Sequence, residues 1–133
     1  MQATGLVTIR SQVSVSETID RIVAGATRRG MIVFARIDHA DGAAKVGMQL
    51  RPTELVIFGH PRGGTPLMID CQTAGLDLPV KALAWEDSEG KVWLTYNDAH
   101  WLADRHGLAP RSAAAVDAIA AGQASLAEEA VAP

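Results

Sequence analysis

The chain has 133 residues, of which 48% are hydrophobic, 20% charged and only 5% aromatic; this fits one globular domain with its own aliphatic core and excludes wholesale disorder. Twelve basic side chains against fifteen acidic ones leave a net charge of −3, and the basic stripe of a nucleic-acid binder is missing. One cysteine, Cys71, excludes an internal disulfide, and no leader-like start or apolar run approaching about 20 residues is present, so the expectation is a cytoplasmic protein with no membrane and no nucleic-acid partner.

Leu6 to Val13 has partial alternation and β-branched residues, and reads as a first strand. Ser14-Val15-Ser16-Glu17 has the spacing of a capping box, in which Ser and Glu satisfy free backbone N–H groups at a helix start. Ile19, Ile22, Val23 and Ala26 continue at helical spacing, and Gly30 stops the helix. The nearly continuous apolar run Met31 to Ile37 predicts a second, largely buried strand. Two strands around a helix predict a crossover between parallel strands if they share a sheet.

Asp38-His39-Ala40-Asp41 predicts another helix start, with Ala40, Ala43, Ala44, Gly47 and Met48 as a small face to lie against the sheet. Glu54 to Gly59 is a third strand. In the segment that follows, Thr65-Pro66 predicts an N-cap with proline at the first helical position, and a short helix to about Cys71 or Gln72. Val80 to Trp85 and Lys91 to Tyr96 alternate as a hairpin around a polar loop ending at Gly90. Asn97 or Asp98 caps a helix ending at Gly107, and an alanine-rich segment follows Pro110. Its thin stripe of Val116, Ile119 and Leu126 predicts a frayed helix or one docked on a partner subunit. The expectation is an α+β two-layer sandwich: a mixed sheet of about five strands with helices on one face. The main domain covers residues 1–109, and an Ala-rich C-terminal helix or tail covers 110–133.

From Ser16 to Leu108 the sequence resembles the bacterial and archaeal family called domain of unknown function 302. Arg51-Pro52-Thr53-Glu54-Leu55, Ile57-Phe58-Gly59-His60-Pro61 and Gly64-Thr65-Pro66-Leu67-Met68 carry the resemblance. Leu76-Asp77-Leu78-Pro79-Val80-Lys81-Ala82-Leu83, Trp85-Glu86-Asp87, Gly90-Lys91-Val92-Trp93, Tyr96-Asn97-Asp98 and Arg105-His106-Gly107-Leu108 complete it. It implies a compact α+β domain that tends to form a dimer; the family name establishes no activity, so the resemblance assigns no catalytic residues to this sequence. Two positions depart from the pattern: His60 stands where Asn is expected, and Cys71 where a small residue such as Ala is usual.

The turn from Gly59 to Thr65 contains three glycines ahead of a predicted helix start, where free N–H groups attract anions. It lacks the Lys-Ser/Thr ending of a phosphate-binding loop, and a simple tight turn is the competing reading. His39, His60, His100 and His106 contain no pair at the spacing of a helical metal site, so no metal and no cofactor is expected. Cys71 reads as a small hydrophobe. The candidate ligand-binding residues are therefore His39, Arg51, His60, Arg62, Gly63, Gly64, Thr65 and His106. They predict a small binding or accessory domain, as a homodimer, holding a small anionic ligand or a protein partner. Two alternatives stand beside it. One is a small enzyme with His39 or His60 as acid–base group and Arg51 or Arg62 on an anionic substrate; the other is a purely structural dimer.

Overall fold

In a computed structural model that describes residues 4–133, the strands are β1 (Leu6–Ser11), β2 (Ile32–Asp38), β3 (Thr53–Gly59), β4 (Val80–Glu86) and β5 (Val92–Asn97). The helices are α1 (Val15–Arg28), α2 (His39–Lys45), α3 (Pro61–Asp70), α4 (Ala99–His106) and α5 (Ala113–Val131), with a 3-10 turn at Gln72–Leu76. The fold is α+β, as expected: one five-stranded sheet in the order β1-β5-β4-β3-β2, with α1 and α5 packed together across one side of it.

Every adjacent pair of strands is antiparallel, so the expected mixed sheet is corrected to an antiparallel one. β1 and β2 do run in the same direction, but the other three strands separate them and place them at opposite edges. The local strand–helix–strand pattern is real; only the pairing that would have made it parallel is missing.

The helix starts follow local rules. Ser14 accepts from the Glu17 N–H at 3.1 Å, while the Glu17 carboxylate turns away to Arg21 at 3.2 Å, so half of the capping box forms. Asp38 caps α2 and Asp98 caps α4. Gly107 closes α4 in the left-handed conformation, with φ of 62°, a conformation that glycine adopts without a Cβ penalty. α2 buries none of its residues and Met48 is exposed, so the expected small-residue face does not lie against the sheet.

The main core joins Val15, Ile19, Ile22 and Ala26 of α1 to Val56, Phe58, Ala82, Ala84 and Leu94 of the sheet and Leu126, Ala127 and Ala130 of α5. α5 approaches α1 closely at Gly25, where a Cβ would stand 2.7 Å from a Leu126 methyl. The alanine-rich segment is thus a 19-residue helix whose small residues let it lie against α1, and its thin stripe suffices because the partner surface is already apolar. Ser11 and Thr18 meet across the end of this core at 2.7 Å, which satisfies two buried hydroxyls.

β2 differs most from expectation. It is an edge strand with Ile32, Phe34 and Ile37 exposed, and its register shifts between Val33 and Ala35. Such a bulge bends an edge strand and blunts its pairing. Arg36 holds this edge to α1 through Asp20 at 2.6 Å and pairs with Glu54 of β3 at 2.9 Å. The continuous apolar run is apolar on both faces, but only one face is covered.

Ile19 is fully buried at the centre of this packing. Ile19→Ala is expected to cost about 3 kcal/mol, the removed methyls plus the cavity left behind, measured by urea denaturation followed by circular dichroism. A loss under about 1 kcal/mol would show that the α1–sheet contact is not the principal core.

Candidate functional site

A cleft of about 450 Å³ opens between α3 and α5 over the ends of β2, β3 and β4, within the range of small-molecule sites. Its floor is Phe58 and Val80; Met31 just before β2, Phe34 of β2, Met68 of α3 and Ile119 of α5 line its sides. Ala115, Ala118 and Gly122 face it from α5 at helical spacing, and their small size keeps the space open.

Five of the eight residues singled out from the sequence line this cleft: His60, Arg62, Gly63, Gly64 and Thr65. The turn nevertheless does not form an anion cradle. Helix α3 begins at Pro61 with His60 as its N-cap, and Thr65-Pro66 lies inside the helix rather than at its start. Pro61 has no N–H. The Arg62 N–H donates to His60 Nδ1 at 3.0 Å, and those of Gly63 and Gly64 donate to the His60 carbonyl at 2.9 and 3.2 Å. The donors that an anion needs are absent or engaged. His60 itself supplies the cap, with its ring nitrogen and its carbonyl.

The other three residues lie elsewhere. His39 is exposed at the first position of α2, and Arg51 donates to the Glu86 carbonyl at 3.2 Å. His106 is enclosed in a tie between α4 and the segment before β4: its Nε2 meets Asp77 at 2.5 Å and its Nδ1 meets Thr73 at 2.9 Å. Arg105 joins the same carboxylate at 3.1 Å, and the Cys71 thiol reaches Thr73 at 3.1 Å. Cys71 is half-buried at the C-cap of α3, so it is not the core residue expected. Among the described residues, no three His, Cys, Asp or Glu side chains converge as metal ligands.

Two residues that matter for the cleft were not picked out from the sequence. Gln123 is a buried polar residue on α5 and lines the cleft; its seven-residue spacing from Val116, on an otherwise alanine-rich helix, was the available signal. Asp70, at the end of α3, fixes where α5 begins. It accepts from the Ser112 hydroxyl at 2.6 Å, the Ala109 N–H at 2.8 Å and Arg111 at 2.8 Å. Ser112 therefore does not cap α5 with its side chain; it fastens α5 to α3 and sets the width of the cleft.

The family model described as domain of unknown function DUF302 matches residues 7–126. "Fluoride-specific ion channel FluC 1" of Brucella suis biovar 1 (strain 1330) is 57% identical over 118 residues, covering 89% of this chain and 46% of that protein. "Fluoride-specific ion channel FluC 1" of Brucella abortus biovar 1 (strain 9-941) is also 57% identical over 118 residues, covering 89% of this chain and 44% of that protein. The chain thus spans less than half the length of these curated relatives. A crystal structure of an uncharacterized conserved DUF302 protein from Bacillus stearothermophilus superposes with a TM-score of 0.84 over 96% of this chain and 99% of that one, at 16% identity, which shows a shared fold. The relatives' names overturn the expected function. A small cytoplasmic binding or accessory domain, as a homodimer holding a small anionic ligand or a protein partner, with an enzyme or a purely structural dimer as its alternatives, does not match proteins named as fluoride-specific ion channels. No helix among the described residues is long and apolar enough to cross a membrane.

The hydrogen bonds from Ser112 and then from Ala109, with Arg111 nearby, hold the Asp70 carboxyl below its ordinary value of 3.8. A carboxylate with a lowered folded-state pKa contributes stability that is present above its ordinary value and lost as the pH falls through the folded one. Wild type is therefore expected to lose more stability on acidification through 3.8 than Asp70→Asn does, read as urea midpoints across that range. Parallel acid limbs in the two proteins would rule out the clamp.

Proposed function

From the premise that this chain belongs to the DUF302 family, we propose that it is a domain outside the bilayer that works with a fluoride-specific ion channel. The observation that carries this reading is the 57% identity over 89% of the chain to less than half of proteins so named. The remainder of those relatives has ample length for a conduit. The cleft described here is a poor place for fluoride itself, because a small anion stripped of water among apolar side chains is strongly disfavoured. Its role is thus to act on the channel rather than to carry the ion.

Cells lacking this domain but retaining the channel are expected to tolerate less fluoride and to release it more slowly, followed with a fluoride-selective electrode. Growth and release identical to the parent strain would remove the reading.

The uncovered side of the sheet supports a second copy of this chain as partner. It presents Leu55 and Ile57 of β3, Leu83 and Trp85 of β4, and Trp93 of β5, none of them fully buried. The two indoles lie 6.4 Å apart, each anchored by its N–H, to Thr95 and Asp87 respectively. Five strands of six or seven residues give a face of about 500 Å² in projection, which side-chain relief brings toward the roughly 800 Å² per partner of a standard interface. Native mass spectrometry is expected to show a dimer that Leu83→Asp converts to a monomer with unchanged circular dichroism. A wild-type monomer at micromolar concentration would defeat the pairing.

A further inference from the structure

The cleft between α3 and α5 has two ends of different chemistry. Phe58, Met68, Leu78, Val80 and Ile119 make its interior apolar, and no Asp or Glu is among its lining residues. Its charged lining residue is Arg62, exposed beside His60 at the mouth. The other arginines of the described residues are each held by a carboxylate, a carbonyl or an indole ring; the Arg62 guanidinium is held by none. His60 accepts the Arg62 N–H on Nδ1, so its neutral ring carries the proton on Nε2 and remains a donor there. In a chain of net charge −3, the mouth is a local cation and donor without a carboxylate beside it.

We propose that the cleft binds one unbranched acyl chain, with an acidic head left in water beside Arg62 and His60. Burial of the chain supplies the affinity, since each methylene removed from water is favourable, and the head keeps its hydration. The N–H groups at the start of α3 take no part, being absent or engaged. Shape favours a chain over a compact ring. Ala115, Ala118 and Gly122 lay an open strip along α5, about 10 Å long at the helical rise. Met31 and Met68 adapt to the chain at the sides. A free fatty acid and the tail of a phospholipid share this chemistry. The site goes beyond the channel reading and does not depend on it.

The test is calorimetric titration of the intact protein with octanoate, decanoate, decanol and decyl phosphate, below the concentrations at which they form micelles. Decanoate is expected to bind about ten-fold more tightly than octanoate, the gain from the additional buried methylenes. Arg62→Gln should weaken decanoate about three-fold, as for an exposed ion pair, and leave decanol unchanged. A Cβ at Gly122 meets no neighbouring atom and Ala118 is exposed. Gly122→Phe and Ala118→Phe should therefore each fill the cleft and abolish binding while circular dichroism stays unchanged. A preference for decanoate over decyl phosphate identifies a free fatty acid as the occupant and the reverse a phospholipid tail; either supports the site. No binding, equal binding of octanoate and decanoate, or an Arg62→Gln protein that binds decanoate as wild type does would each overturn the proposal. So would binding that survives both phenylalanine variants; its loss in Leu83→Asp would then place the chain on the outer face of the sheet.

Discussion

The return of α5 to lie along α1 is the contact on which the rest of the structure depends. Leu126, Ala127 and Ala130 close the core that α1 begins over the sheet, and the seam is narrow because Gly25 presents no side chain to Leu126. Nothing else in the helical layer spans the molecule in this way. Burial of apolar surface drives the contact, but its position is set by polar groups. Asp70 gathers Ala109, Arg111 and Ser112 at one end, and the Gln12 N–H donates to the Val131 carbonyl at the other, at 2.9 Å.

The same helix makes both the core and the cleft because its faces differ in size rather than in polarity. On one side Val116, Leu126 and Ala127 pack into the layer; on the next, Ala115, Ala118 and Gly122 are too small to reach α3. α3 is meanwhile held off by its own geometry. It starts one residue after β3, capped by His60, and ends in the Asp70 clamp. Space between two helices fixed at both ends cannot collapse, so it remains as an apolar cleft.

The sheet is similarly two-sided. Its inner face is buried under α1 and α5, while its outer face keeps a paired set of tryptophans and aliphatic residues without cover. The domain carries an open apolar face and an apolar cleft, and it resembles less than half of each longer protein named as an ion channel. The two surfaces lie on opposite sides of the sheet, so occupation of one leaves the other accessible.

The sequence by itself determined most of the elements and several of their ends, though not the start of α3, which lies at Pro61 rather than after Thr65. The apolar run of β3, the alternation of β4 and β5, the caps at Ser14 and Asp98, and the stop at Gly107 each depend on hydrogen bonds or periodicity within a few residues. Motifs spread from Arg51 to Leu108 carried the family resemblance for the same reason: their residues serve local turns and strands. Only the tertiary structure decided which apolar surfaces are covered. Met31 to Ile37 reads as buried from its composition, yet nothing shields its outer face at the sheet edge. The alanine-rich segment reads as marginal, yet it finds α1 about a hundred residues earlier in the chain. Of the candidate site, His60 to Thr65 was legible because glycines mark the turn, but its chemistry was not. Whether an N–H is free depends on the His60 ring and carbonyl, and whether Gln123 is buried depends on α1, α3 and the sheet together. Burial is a property of the neighbours, and the neighbours here come from distant parts of the chain.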